Sequence, residues 1–150
     1  MKLTMKLFLP LIFLAYAMLN TALANPQATN KPQATNIIFL ELNRLQQQKG
    51  NCISYFVLKN QTANSYSAFQ IELIVFDKND IISSRFLGDF KKVKANKTLV
   101  KLFSIPKTKC NSIAKVLIND IHQCKIGKSN KENCLDLIKP SAKSSTTLFK

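Results

Sequence analysis

The sequence predicts an all-β fold, an antiparallel immunoglobulin-like β-sandwich of about seven short strands held by disulfides, with a small open barrel as the alternative. Three observations predict it. In Tyr66 to Asp77, Phe69, Ile71, Leu73 and Val75 alternate with Ala68, Gln70, Glu72 and Ile74, the pattern of a half-buried strand. Similar short extended runs recur on both sides of it, separated by turn residues. Four cysteines follow a segment with the form of an export signal, which places the chain in an oxidising compartment.

That segment is Met1 to Ala24. Lys2 and Lys6 precede an apolar run from Leu7 to Leu19, and Ala22 and Ala24 are the small residues of a cleavage site. The run is short for a membrane span and contains Pro10, so no transmembrane span is expected in the mature chain, which would begin at Asn25. No arginine pair precedes the run, which favours the general export route. No cysteine follows the cleavage site, which argues against a lipid anchor. Residues 25–36 carry PQATN twice and read as a flexible lead. Residues 37–150 are long enough for one domain with one core.

The elements follow in order. Ile37 to Leu45 reads as a strand, although Leu, Glu, Arg and Gln would also suit a helix that Lys49-Gly50-Asn51 stops. Asn51 to Asn60 puts Cys52, Phe56 and Leu58 on one face. Asp77-Lys78-Asn79-Asp80 makes a tight turn, so Ile81 to Leu87 pairs antiparallel with the central strand until Gly88-Asp89 breaks it. Thr98 to Ile105 is a further strand closed by Pro106. Ser112 to Ile121 is ambiguous: Ile113, Leu117 and Ile121 have helical spacing, but the β-branched content favours a strand with Ala114, Val116 and Ile118 on one face. After a polar SAKSS stretch, Thr146 to Phe149 is a last strand.

Cys52, Cys110, Cys124 and Cys134 are read as two disulfides. A straight strand between Cys110 and Cys124 would hold them roughly 30 Å apart, whereas bridged α-carbons lie within about 7 Å. Cys52 with Cys110 and Cys124 with Cys134 are therefore favoured, with Cys52 to Cys124 left open. A four-cysteine zinc site lacks any CxxC pair, so no metal or other cofactor is expected.

The order Glu41-Leu42-Asn43, Cys52, Phe56-Val57, Asn60, Val75-Phe76-Asp77, Phe103, Cys110, Val116-Leu117-Ile118-Asn119, Cys124 and Cys134 resembles a family of small exported bacterial proteins, some labelled only by a twin-arginine export signal. The resemblance implies a secreted, disulfide-bonded β-domain and brings no known activity. The arginine pair is lacking here, so that export route does not carry over.

Little points to catalysis. His122 is the single histidine, with Asp120 nearby, and no GxSxG-like turn or free cysteine offers a nucleophile, so no catalytic residue is assigned and a hydrolytic enzyme is the remotest alternative. Asp77-x-Asn79 imitates a calcium loop, but Ile81 and Ile82 fall where an oxygen ligand and a glycine belong. Asn60-Gln61-Thr62 and Asn96-Lys97-Thr98 are glycosylation sequons, without meaning in a bacterial chain.

Charge is more informative. The mature chain carries a net charge of +12, and Lys91 to Lys115 holds eight lysines and no acid. Lys91, Lys92, Lys94, Lys97, Lys101, Lys107 and Lys109 are the candidate contact for an anionic surface such as lipopolysaccharide or phospholipid. Nucleic acid is a poor candidate partner, since Arg44 and Arg85 are the only arginines and there is no tryptophan. The expected function is that of a periplasmic or secreted binding module for an envelope protein, or alternatively for anionic envelope lipid or polysaccharide.

Overall fold

Strand pairing in this chain begins from turns whose chemistry is local. Lys49 and Gly50 both take positive φ, 46° and 82°, the conformation of a two-residue hairpin turn whose twist suits the strands it joins. Asp77 accepts hydrogen bonds on Oδ1 from the amides of Asn79 and Ile81, at 2.8 and 3.0 Å, and so closes the next hairpin. The Asp77 carboxylate that imitated a calcium ligand is used by this turn.

The computed structural model describes residues 35–150. The expected leader, residues 1–24, and nearly all of the PQATN lead lie outside the described residues. Nine strands are present among them: β1 Ile38–Gln48, β2 Asn51–Asn60, β3 Tyr66–Asp77, β4 Ile82–Val93, β5 Thr98–Ile105, β6 Ile113–Ile126, β7 Ser129–Asn130, β8 Ile138–Ala142 and β9 Thr147–Phe149. The first sheet runs β5-β2-β1-β8 and the second β4-β3-β6, with β7 and β9 both on the outer edge of β6. The architecture is an immunoglobulin-like sandwich. Pairing is mostly antiparallel, but β8 runs parallel to β1 and β9 parallel to β6. The strand count exceeds seven because β7 is too short, and β8 too polar, to show as apolar alternation, whereas the expected last strand is present as β9.

The expected central strand is β3, whose Phe69, Ile71, Leu73 and Val75 are fully buried. Opposite them lie Leu40, Leu42, Phe56 and Leu58 of the first sheet, and the rings of Phe56, Phe90 and Phe103 meet at centroid distances of 5.3–6.4 Å. Ile37 to Leu45 forms a strand that continues to Gln48, since cross-strand pairing with β2 outweighs the helical propensity of Leu and Gln.

Two expectations need correction. Gly88-Asp89 does not break β4. Gly88 faces the core, where a Cβ would lie 3.2 Å from Phe103 Cε2 and 3.3 Å from Leu73 Cδ1, so the glycine is set by close packing and the strand runs on to Val93. The segment after Ser112 is a strand, as favoured, but its buried face is different. Pairing with β3 skips Ala114, Asn119 and His122, so Ile113, Val116, Ile118 and Cys124 are buried, with Ile121 packed against them. Three inserted residues convert a period of two into steps of three and two, which imitates helical spacing.

The disulfides join Cys52 to Cys110 and Cys124 to Cys134, with α-carbons 5.0 and 6.5 Å apart. Cys110 opens a short 3-10 turn, Cys110–Ser112, that leads into β6. The first bond ties β2 to the connection that crosses between the sheets. The second anchors the 131–137 connection to β6.

Candidate interaction surfaces

The lysines that run together in sequence are divided in space. Asn60 donates its backbone amide to the Lys97 carbonyl at 2.9 Å and its side-chain amide to the Lys94 carbonyl at 3.0 Å, so the β4–β5 turn and its lysines belong to the end of the sandwich where β2 finishes. Lys107 lies at the other end, its amide bonded to Asn51 Oδ1 at 3.1 Å beside the β1–β2 hairpin. Between them runs β5, about 26 Å long at roughly 3.3 Å per residue. Lys91, Lys92, Lys94 and Lys97 are therefore brought together, Lys101 is half-buried midway, and Lys107 and Lys109 are separated from the rest.

Nor is the set free of carboxylates. Lys91 Nζ lies 2.6 Å from Asp89 Oδ2, and Lys115 Nζ lies 2.6 Å from Asp80 Oδ1. The Lys91 hydrogen bond, with smaller help from the nearby Lys101 charge, holds the Asp89 carboxyl below its usual range. One continuous seven-lysine face is thus replaced by a cluster at one end and a pair at the other.

A second surface is apolar and was not singled out from the sequence. On the outside of the first sheet, β5 sets Val100 and Leu102 opposite Val57 and Tyr55 of β2. Val100 is 55% and Leu102 52% exposed. Ile53, Tyr55 and Val57 are half-buried, and Arg44 lies over the Tyr55 ring at 4.3 Å while the Tyr55 hydroxyl donates to Gln46. Lys59, Glu41, Arg44 and Lys143 rim this centre, with Lys143 Nζ 3.9 Å from Glu41 Oε2. β5 pairs with β2 along one side alone, so among the described residues its other backbone edge carries no strand. The signal was in TLVKLFSI, where Leu99 and Phe103 supply one apolar face and Val100 and Leu102 a second. A strand apolar on both faces at a sheet edge leaves one of them to solvent.

A third feature lies on the outside of the second sheet. Glu72 is 5% exposed, and its carboxylate accepts from Arg85 Nε of β4 and from Asn119 Nδ2 of β6. His122 Nε2 stands 4.0 Å away. Asn119 and His122 are two of the residues skipped in the β3–β6 ladder, and that extra residue turns each toward Glu72. The Asn119 hydrogen bond is the largest cause holding Glu72 below its ordinary pKa, against burial and with help from Arg85 and His122. His122 is thus a strand residue facing Glu72, where the sequence offered the nearby Asp120 as its neighbour. Beside it, a groove of about 490 Å³ is lined by Asp120, His122, Glu132 and the Cys124–Cys134 bond. Among the described residues, no three His, Cys, Asp or Glu side chains converge as metal ligands, and no helix is long and apolar enough to cross a membrane.

No protein-family model matches the chain, and no curated protein matches it. Among solved structures, the chain is similar to IrmA from Escherichia coli, with a TM-score of 0.58 over 69% of this chain and 90% of that one. At 14% identity the likeness is one of fold, and it places this sandwich beside IrmA in architecture.

Proposed function

We propose that the protein is an exported, non-enzymatic binding module that captures a protein partner on the outer face of its first sheet. The observation that carries this reading is the exposed apolar centre of Val100 and Leu102 within a charged rim. Interfaces favour an apolar, aromatic centre with polar surroundings, and Tyr55, fixed by Arg44 and Gln46, supplies a rigid anchor there. The open edge of β5 offers backbone groups to an added strand. Two disulfides and the leader-like sequence support a periplasmic or secreted setting. The Glu72 cluster supports binding over catalysis, because the carboxylate beside the single histidine is already engaged by Arg85 and Asn119.

A photo-reactive amino acid at position 102 tests the reading in the native envelope. The expected result is one discrete, salt-resistant adduct, lost when Val100→Glu is added and missing when the probe sits at Thr147 on the second sheet. The same faint pattern from both positions, or no adduct at 102, would refute a docking role for this face.

A further inference from the structure

The turns at one end of the sandwich gather lysines that the sequence scatters. Lys59 lies next to the end of β2, Lys92 near the end of β4, Lys94 and Lys97 in the β4–β5 turn, and Lys128 in the β6–β7 turn, all exposed. These turns are tied together. Lys59 pairs with Thr98, Tyr66 pairs with Val93, and the Ser67 hydroxyl donates to the Gly127 carbonyl at 2.6 Å. None of the five lysines joins an ion pair among the described residues, and Asp89, the acid of β4, is held by Lys91. At the opposite end Asp77 and Asp80 are interspersed with Lys78, Lys107 and Lys109.

We infer that this lysine-crowned end docks on an anionic phospholipid surface. Five amines from two strand ends and two turns, without a carboxylate among them, suit an extended negative surface better than one small anion, and each adds to attraction within a Debye length. The chemistry disfavours nucleic acid: these are lysines instead of arginines, the adjoining Gln61-Thr62-Ala63-Asn64-Ser65 loop has no aromatic ring, and Tyr66 is fully buried. The chain also enters the fold here, since the Gln61 amide bonds to the Ile37 carbonyl at 2.9 Å. This surface shares Lys59 with the rim of the apolar face of the first sheet and otherwise lies apart from it.

The test is co-sedimentation of the oxidised chain from Asn25 with vesicles of phosphatidylglycerol in phosphatidylcholine, against phosphatidylcholine alone, across a salt series. Expected is partitioning onto the anionic vesicles that weakens steeply with salt and falls about thirtyfold in Lys94→Gln/Lys97→Gln. Lys107→Gln/Lys109→Gln removes equal charge from the other end and is expected to bind as the parent does. Circular dichroism confirms that both variants are folded, and Lys59→Gln/Lys128→Gln serves if the turn pair is not. Equal losses in the variants from the two ends would overturn the inference in favour of net charge. So would a lack of partitioning, or displacement from vesicles by polyphosphate at far lower charge concentration, which would indicate a soluble polyanion as the ligand.

Discussion

Glu72 shows how one residue is decided by its neighbours. Sequence alternation places it on the outer face of β3, where a carboxylate is expected to be wet, yet Arg85 and Asn119 cover and bond it. Its folded pKa is lowered below the ordinary value of 4.5, so its stabilisation is fully present above that value and is lost as pH falls through the lowered folded value. Asp89 acts in the same direction through Lys91. Thermal melts from neutral pH into the acid range should therefore show stability falling below about pH 4.5, and Glu72→Gln should flatten that slope while lowering stability at neutral pH. An unchanged slope would show that the cluster contributes nothing to acid sensitivity. The alternation made the position of Glu72 legible, but its partners come from residues 13 and 47 positions away and leave no local signal.

At the scale of the element, legibility followed regularity. β2 and β3 alternate cleanly and were read with their correct buried faces. β6 was read correctly as a strand but with a misplaced face, because Ala114, Asn119 and His122 are each skipped by the ladder and apolar spacing alone cannot separate a bulged strand from a helix. β4 was cut short because glycine usually punctuates strands, whereas Gly88 is there to admit the Phe103 ring. Gly88→Val should accordingly lower stability by about 1–3 kcal/mol in chemical denaturation, as overpacking does, with β4 still formed. A neutral substitution would mean that Phe103 has room to move aside. β8 escaped notice because Ile138–Ala142 holds only two apolar residues besides Pro140, and it pairs with β1 by a single edge that does not need the missing proline amide.

For the whole molecule, the cysteine framework and the all-β class were the legible part, since both rest on composition and on repeated local patterns. The interaction surfaces were less so. A run of lysines in sequence says nothing of which turns fold to the same end, and the apolar outer face appears only when β5 is known to lie at an edge. The framework also predicts a hierarchy of stability. Cys52–Cys110 closes a loop of sequence separation 58 and Cys124–Cys134 one of 10. Loop-closure entropy gives about 4 and about 3 kcal/mol respectively, so replacing the first pair by alanine should cost the larger share in denaturant titrations. The reverse order would place the stabilisation in local packing around the 131–137 connection.

Asn60 bears on how this protein can be produced. Its side-chain nitrogen is buried, donating to the carbonyls of Asn64 and Lys94, while its Oδ1 accepts from the Thr62 amide. A sugar on that nitrogen has no space in the closed corner. In a yeast or insect-cell host the Asn60-Gln61-Thr62 sequon is offered to the transferase before the corner has formed, so a chain modified there is barred from its native state. The exposed Asn96 carries no such bar. A bacterial host with an oxidising periplasm keeps the corner free and still supplies the two disulfides.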